Sequence, residues 1–169
     1  GEERILELHE EPIFDVFRNR VGQFCFCRDV TIERTFEHQI WISANTDALT
    51  GLPNRRAIFE NVETLFSLAR HLRQKIVVAY IDLDDFKLIN DRFGHEVGDQ
   101  FLIQIGHRLL RKCSDNDILG RLGGDEFLVV RLSAEDELDQ LMRLQQVKNQ
   151  LQQQICGDYH LGDIHLYYP

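Results

Sequence analysis

The sequence has no apolar run long enough to cross a bilayer. Its longest run, Ile76–Ile81, has six residues, whereas a transmembrane helix needs about 20. The N-terminus also lacks the apolar stretch of a secretory signal. We therefore expect no membrane segment in this chain and a cytoplasmic location for it, with any membrane anchor lying elsewhere in the full-length protein.

Basic residues are in the minority. The chain has 19 Lys and Arg against 28 Asp and Glu, which gives a net charge of −9. No Lys/Arg cluster forms a stripe that could follow a nucleic-acid backbone, so we do not expect polymeric DNA or RNA as a partner. An acidic protein that binds an anionic nucleotide needs divalent cations and backbone N–H donors, so paired carboxylates and helix N-termini are the places to search.

Cysteines are few and have no zinc-finger or C-x-x-C spacing. They are Cys25, Cys27, Cys113 and Cys156. Cys25 and Cys27 lie two apart in a predicted strand and point to one face, which favours plain packing, with a metal or redox pair as the alternative. A reduced, cytosolic setting fits this usage best.

The first 30 residues are predicted to form three short strands, Arg4–Leu8, Ile13–Phe17 and Gln23–Cys27, with a break at Glu11-Pro12 before the second and Val21-Gly22 before the third. Strands of this length cannot bury a core alone, and a chain of 169 residues allows one main domain plus a fragment. The stretch Gly22–Thr31 resembles the last strands of a PAS sensor domain and its exit into a linker. We therefore expect residues 1–30 to be the C-terminal fragment of such a domain.

Residues 31–46 are predicted to form an amphipathic helix that acts as a signalling linker. Ile32, Phe36, Ile40 and Ala44 recur at four-residue steps among mostly polar neighbours. The favoured interpretation is a coiled coil that sets dimer geometry. The alternative is a helix packed on its own domain.

The remaining residues predict alternating helices and strands. The predicted elements are a helix after the turn Thr50–Asn54 with Ile58, Val62, Leu65, Ala69 and Leu72 on one face; a buried strand ending near Asp82; a short helix with Phe86, Ile89 and Phe93 that ends at Gly94; a helix from about Asp99 to Lys112; strands Ile118–Leu122 and Glu126–Leu132; a helix capped by Ser133 that carries Leu138, Leu141, Leu144, Val147 and Leu151; and strands between Tyr159 and Tyr168 around Gly162. This order predicts an α+β fold with helices on a mostly antiparallel sheet.

An acidic cluster, Asp82–Lys87, lies where the predicted buried strand turns into a helix. A carboxylate at that point, beside backbone carbonyls and free helix N–H groups, can hold Mg²⁺ while the amides receive phosphates. Acidic residues also commonly cap helices, so this cluster alone does not establish a catalytic site.

A second acidic pair, Asp125 and Glu126, follows Gly123 and Gly124 in the predicted hairpin. Glycine lets the backbone approach a ligand closely, although glycine and aspartate are also ordinary turn residues. If the strand that ends at Asp82 pairs with this hairpin, Asp82 and Asp125 converge on one metal, as phosphoryl and nucleotidyl transfer require.

Three polar residues after the first cluster, Asn90, His95 and Asp99, are candidates for base recognition. Asn and Asp side chains can together satisfy the edge of guanine, with Asp accepting from the ring N–H and the exocyclic amine. Their ordinary structural roles would be a helix end for Asn90, a loop for His95 and an N-cap for Asp99.

In order and spacing, four motifs resemble the GGDEF family of diguanylate cyclases. They are Asp47–Arg56, Asp82–Lys87, Asn90–His95 with Asp99, and Gly123–Phe127. The resemblance covers residues 47–169. It implies a palm-like nucleotidyl cyclase fold, with a central mostly antiparallel sheet flanked by helices, and the condensation of two GTP molecules into cyclic di-GMP with release of pyrophosphate.

The resemblance also implies the roles of individual residues. Asp82 and Asp125 would coordinate Mg²⁺, or alternatively Mn²⁺, through their carboxylates, and Leu83 through its backbone carbonyl. Substrate binding would involve Asn90, His95, Asp99, Asp85, Phe86 and Gly124, with Asn90 and Asp99 reading guanine. Lys87 would stabilise charge on the phosphates, and Glu126 would accept the proton of the attacking 3′-hydroxyl.

The reaction implied by the resemblance needs two GTP-loaded domains that face each other with two-fold symmetry, so a homodimer partner is expected. Two departures from the family pattern bear on this expectation. The family's inhibitory product site has an Arg-x-x-Asp motif, but Ser114 and Asp117 stand at its ends here, so feedback inhibition through it is not expected. The family also carries a last strand and a final helix with basic contacts to the triphosphate, which would follow Pro169, so these 169 residues alone are expected to bind GTP weakly.

Two other functions remain open at this point. One is a non-catalytic GGDEF module that binds GTP or cyclic di-GMP and regulates an attached phosphodiesterase domain. The other is a scaffold or dimerisation piece of a sensor protein with a vestigial nucleotide site. An intact Gly123-Gly124 hairpin favours the active cyclase over the non-catalytic module, and GTP binding by the complete protein would argue against the scaffold.

Overall fold

The computed structural model describes residues 3–133 and 140–169. The chain forms two compact units, one up to residue 44 and one from residue 45 onward. The elements are β1 Leu6–Phe14, β2 Arg20–Asp29, α1 Thr31–Asn45, α2 Arg55–Leu72, β3 Lys75–Asp82, α3 Phe86–Phe93, α4 His95–Leu110, β4 Ile118–Gly123, β5 Glu126–Ser133, α5 Gln140–Ile155, β6 Gly157–Leu161 and β7 Ile164–Tyr168. No helix within the described ranges has the length and hydropathy that a membrane crossing requires.

The first unit contains one antiparallel hairpin, so the prediction of three short strands is wrong. The pairing of β1 with β2 runs from Leu6 opposite Asp29 onward, and Pro12 lies inside β1 opposite Gln23. Proline was expected to break the strand because it has no N–H to donate. It is tolerated in a strand that pairs on one side, as β1 does among the described strands.

The hairpin turns between β1 and β2 through a loop that Asp15 organises. Its Oδ1 atom accepts hydrogen bonds from the backbone N–H groups of Phe17 and Asn19, both at 2.8 Å. An aspartate that bonds its own following backbone favours a turn over an extended strand. The predicted strand Ile13–Phe17 is therefore wrong beyond Phe14.

Helix α1 confirms the predicted helix over residues 31–46 to within one residue. Its apolar stripe is exposed: the exposed fractions of Ile32, Phe36 and Ile40 are 69%, 60% and 68%. These side chains therefore lie on the surface of this chain.

Helix α2 begins where it was predicted to begin, after Asn54. The Asn54 side chain accepts a hydrogen bond from the N–H of Ala57 at 3.1 Å, which caps the helix. The predicted apolar face is buried at Ile58, Leu65 and Ala69, whereas Leu72, in the last turn, is exposed.

Strand β3 lies at one edge of a three-stranded antiparallel sheet with the order β3-β5-β4. The strand was predicted to be buried, but the exposed fractions of Val78 and Tyr80 are 53% and 56%. Alternate residues of β3, such as Ala79 and Ile81, pack against the hydrophobic core. The prediction is therefore wrong for one face of β3, because an apolar run does not reveal how many neighbours cover a strand.

Helix α4 begins at His95, four residues before the predicted start at Asp99. Gly94, with φ of 88°, ends α3 and stands immediately before α4. His95 is therefore the first residue of a helix rather than a loop residue, and Asp99 lies inside the helix rather than at its N-cap. The prediction placed the start too late because the apolar period of α4 begins later than its backbone hydrogen bonding.

The core of the second unit centres on Phe101 of α4, which is fully buried. Its ring packs edge-on against Tyr159 and lies close to Tyr168, with centroid distances of 4.6 and 5.1 Å. The Arg108 guanidinium lies 3.7 Å from the centre of the Tyr159 ring and donates a hydrogen bond to the carbonyl of Asp158. These contacts fix the β6–β7 hairpin against α4.

Helix α5 is described from Gln140 to Ile155. The predicted helix cap, Ser133, is the last residue of β5. Leu138 lies outside the described residues. Leu151 is buried as predicted, but the exposed fraction of Leu144 is 47%.

Candidate functional site

Strand pairing brings the first acidic cluster to the glycine hairpin. Asp82, the last residue of β3, lies opposite Glu126, the first residue of β5. Gly123, the last residue of β4, also pairs with Glu126. The expectation that the strand ending at Asp82 pairs with this hairpin is therefore confirmed, and Asp125 lies at the same end of the sheet.

Several carboxylates lie close together at this end of the sheet, and their negative charges repel one another. Partial desolvation, followed by the negative charges of Asp125, Glu126 and Asp84, raises the pKa of Asp82 above its usual value of 3.8. Because the carboxylates repel one another, a cation bound among them would be stabilised.

The donor atoms at this end fit a divalent metal such as Mg²⁺. Asp82 and Asp125 offer carboxylates, and the carbonyl of Leu83 accepts one hydrogen bond, at 3.3 Å from the N–H of Phe86. Within the described residues no three or more His, Cys, Asp or Glu side chains form a metal-binding group. Two carboxylates and a carbonyl would leave coordination positions for water and phosphate oxygens, as is usual for Mg²⁺.

Glu126 has a neighbour, Tyr80, that no local sequence pattern indicates. The Tyr80 hydroxyl donates a hydrogen bond to the Glu126 carboxylate. This bond, together with desolvation and the charges of Glu126 and Asp82, raises the pKa of Tyr80 to about 12. Tyr80 therefore remains a donor at neutral pH and orients Glu126.

The hairpin turn is built on two glycines with positive φ. The φ angles of Gly123 and Gly124 are 141° and 55°, a backbone that other residues adopt only with strain. An added side chain at either position would meet nothing within 4 Å. The glycines therefore serve the backbone conformation of the turn and leave open space beside it.

Arg121 stabilises this turn through hydrogen bonds to its backbone. Its Nε and Nη2 atoms donate to the carbonyl of Gly124 at 3.0 and 2.7 Å, and its Nη1 donates to Oδ1 of Asp47 at 2.9 Å. The same carboxylate atom accepts from the N–H and hydroxyl of Thr50. Arg121 was not predicted as a site residue, because no local pattern links it to an aspartate 74 positions earlier.

The turn from β3 into α3 carries Asp85, Phe86 and Lys87. Asp85 adopts a left-handed conformation with φ of 59°, and its side chain does not cap α3. The ring of Phe86 is directed into the core, where it stacks on Phe101 at a centroid distance of 6.3 Å. Lys87 is exposed at the start of α3.

The packing of α3 on α4 brings Asn90 next to the segment that holds Asp99. Asn90 lies in the last turn of α3, and its Oδ1 atom is 1.9 Å from the position that a Cβ of Gly98 would occupy. Asp99 follows Gly98 and is exposed, as is His95 one turn earlier. The Asn90 carboxamide therefore lies against the residue that precedes Asp99 in α4.

The family comparison agrees with this geometry. Residues 44–166 match the family described as "Diguanylate cyclase, GGDEF domain". The chain belongs to the GGDEF family.

Two curated proteins and one solved structure are similar to this chain over two thirds of its length or more. Diguanylate cyclase DgcP of Escherichia coli K12 is 50% identical over 100% of this chain, which spans 48% of that protein. Cyclic di-GMP phosphodiesterase PdeR of the same organism is 40% identical over 67% of this chain and 17% of its own length. The crystal structure of a sensory box/GGDEF family protein from Caulobacter crescentus has a TM-score of 0.68 and 29% identity, covering 73% of this chain and 77% of that one. The chain thus spans about half the length, or less, of these two curated relatives.

At the position of the family's product site, this GGDEF chain has Ser114 in place of the arginine and keeps the aspartate, Asp117. Asp117 is mostly buried and ion-paired with Arg131 at 2.9 Å. It also accepts a hydrogen bond from the N–H of Ser114 at 2.9 Å. Its carboxylate is therefore already neutralised by a residue of its own chain.

A large cleft of about 640 Å³ lies along the edge of β3. Asp82, Leu83 and Asp85 are on its rim, but Asn90, Asp99 and the glycine hairpin do not line it. The candidate site of this GGDEF chain is therefore the carboxylate end of the sheet together with the α3–α4 junction, and the cleft only adjoins it.

Proposed function

We propose that this chain is the catalytic part of a diguanylate cyclase, which condenses two GTP molecules into cyclic di-GMP and releases pyrophosphate. The observation that carries the proposal is the pairing of Asp82 with the Gly123-Gly124 hairpin, which gathers the carboxylates of both motifs at one end of the sheet. The similarity to DgcP, which extends over the whole of this chain, supports the same activity.

Mg²⁺ is the proposed cofactor, with Mn²⁺ as the alternative. Asp82 and Asp125 would hold it through their carboxylates and Leu83 through its carbonyl. Bound there, the metal would offset negative charge on the triphosphate. The raised pKa of Asp82 supports this assignment, because part of the rise, after that from desolvation, comes from neighbouring carboxylates whose charge a cation would offset.

The nucleotide would extend from this end of the sheet toward the α3–α4 junction. Asn90 and Asp99 would read the guanine edge, with His95 nearby. The turn around Asp85 and Phe86 and the backbone at Gly124 would contact the phosphates, which the exposed cation of Lys87 would stabilise. The packing of Phe86 on Phe101 supports a backbone contribution from Phe86.

In the proposed reaction, Glu126 accepts the proton of a GTP 3′-hydroxyl. The 3′-oxygen forms a bond to the α-phosphorus of the other GTP, the bond from that phosphorus to the bridging oxygen breaks, and pyrophosphate leaves. Two such steps close the ring. Tyr80, which donates to Glu126, would keep its carboxylate in place.

Because each domain would hold one GTP, the reaction needs a homodimer in which two sites face each other. We propose that residues 31–46 form the signalling linker that sets this arrangement, and that residues 1–30 end a PAS-like sensor. The exposed stripe of Ile32, Phe36 and Ile40 supports a helical partner for α1. A cytoplasmic location for the catalytic part follows from its GTP substrate.

A second candidate is a regulatory GGDEF module attached to a phosphodiesterase. The similarity to PdeR favours it as an alternative. It predicts that the protein binds GTP or cyclic di-GMP without converting GTP.

The full-length protein with GTP and Mg²⁺, with ATP as the control substrate, tests the proposal when products are separated by chromatography. Cyclic di-GMP from GTP alone is the expected result. Bound but unconverted GTP would move the assignment to the regulatory module.

A further inference from the structure

Gly98 is the fourth residue of α4, at the end of its first turn, and is buried. A Cβ atom at this position would lie 1.9 Å from Oδ1 and 3.0 Å from Cγ of Asn90, and 3.3 Å from Cζ of Phe86. A contact of 1.9 Å between heavy atoms is not sterically allowed. The carboxamide of Asn90 therefore occupies the space that a side chain at position 98 would fill.

The backbone of α4 does not require glycine at this position. Gly98 has helical geometry without a positive φ, and glycine destabilises a helix interior relative to alanine. Its contact with Asn90 is thus the physical reason for a glycine here.

The backbone of Asn90 takes part in the end of α3. Its carbonyl accepts a hydrogen bond from the N–H of Gly94 at 2.8 Å. Among the described residues, no side chain or backbone group hydrogen-bonds to its half-buried carboxamide. An amide without a protein partner has both its donor and its acceptor available to a ligand.

We propose that Gly98 is a positioning residue for guanine recognition, because its missing side chain seats the Asn90 carboxamide against α4 beside Asp99. This inference rests on the proposed function, in which Asn90 and Asp99 read the base. A Cβ at position 98 would displace Oδ1 of Asn90 by about 1 Å, from 1.9 Å to at least 3.0 Å. A shift of that size breaks a hydrogen bond, whose length varies by only about 0.5 Å.

The test compares Gly98→Ala with Gly106→Ala in the full-length protein. Gly106 is a matched control, because it is also a buried glycine of α4, but a Cβ there would meet Leu52 at 3.1 Å rather than Asn90. In Gly98→Ala we expect the KM for GTP to rise about tenfold or more, with kcat changed much less. In Gly106→Ala we expect a KM near that of the wild type. Equal KM values in both variants would overturn the inference.

A double-mutant cycle with Asn90→Ala shows whether Gly98 acts through Asn90. The variant with both changes should have the same KM as Asn90→Ala alone, because the displaced group is already absent. Losses that multiply in the double variant would contradict the inference. If Gly98→Ala does not fold, the double variant should fold, since it lacks the clashing carboxamide, and its failure to fold would also contradict the inference.

GTP binding, measured by calorimetry with Mg²⁺, separates failure of this inference from failure of the proposed function. If the wild type binds GTP without converting it, the cyclase assignment fails, and weaker binding by Gly98→Ala than by Gly106→Ala still supports the role of Gly98. If the wild type neither binds nor converts GTP, both fail.

Discussion

Arg121 and Asp47, which are 74 positions apart, form an ion pair with 2.9 Å between Nη1 and Oδ1. Only 11% and 21% of their side chains are exposed. Since Arg121 also donates two hydrogen bonds to Gly124, this pair connects the start of the second unit to the glycine turn. The position of the glycine turn therefore depends on the ion pair between Arg121 and Asp47.

Removing the Arg121 side chain should lower the stability of the protein. Arg121→Ala leaves the partly buried Asp47 carboxylate without its cation, and we expect a loss of about 1.5–3 kcal/mol in the free energy of unfolding. Urea denaturation of the protein measures this loss. Arg56→Ala is the control, because Arg56 pairs with Glu60 on the surface, where such pairs contribute about 0.5 kcal/mol or less. Equal losses in the two variants would contradict the role of Arg121.

Acid should weaken the stabilisation that Asp47 provides. Burial alone would raise the pKa of Asp47, but the hydrogen bonds from Thr50 and Arg121 outweigh it and hold the pKa below its usual 3.8. A lowered carboxyl pKa gives stability that is present above the usual pKa and is lost as the pH falls through the folded-state value. Unfolding of the wild type and Asp47→Asn across pH should show a difference at neutral pH that shrinks in acid. A difference that grows in acid would refute this account.

Relieving the charge repulsion at Asp82 should stabilise the metal-free protein. Asp82→Asn removes one of the crowded carboxylates, so we expect a higher Tm without metal and a smaller rise in Tm on adding Mg²⁺. Thermal unfolding with and without Mg²⁺ measures both effects. Asp115→Asn, an exposed carboxylate elsewhere, serves as the control and should leave the Mg²⁺ effect unchanged. A full Mg²⁺ effect in Asp82→Asn would exclude Asp82 as a ligand.

Added cyclic di-GMP should not inhibit the protein through the family's product site. Ser114 replaces the arginine of that motif, and Asp117 is already paired with Arg131. Initial rates measured with increasing cyclic di-GMP should show no inhibition that Asp117→Ala removes. Inhibition that disappears in that variant would show that the site is functional.

Local patterns predicted most elements of the second unit. Helix α2 was predicted from its apolar period after the turn Thr50–Asn54, and the hairpin around Gly123-Gly124 from its turn residues, because these signals act over a few residues. Two kinds of boundary were predicted wrongly. The start of α4 was placed too late, because its apolar period begins after its first residue, His95. Strand β1 was predicted to break at Pro12, which lies inside the strand.

The candidate site was predictable only in part for the same reason. Asp82 and Asp125 carry recognisable motifs, and the hypothesis that their strands pair was confirmed. The partners of these residues were not predictable, because Arg121 reaches Asp47 and Tyr80 reaches Glu126 only through the folded sheet. Sequence spacing holds no information on such contacts between distant segments.

The most direct test of the account is cyclic di-GMP formation from GTP and Mg²⁺ by the full-length wild type and Asp125→Ala. Asp163→Ala is a matched control, since Asp163 is an exposed carboxylate that also follows a turn glycine, Gly162, with φ of 62°. We predict product from the wild type and from Asp163→Ala, and none from a folded Asp125→Ala, because the metal loses a carboxylate. Unchanged turnover in Asp125→Ala would contradict the metal assignment on which the proposed mechanism depends.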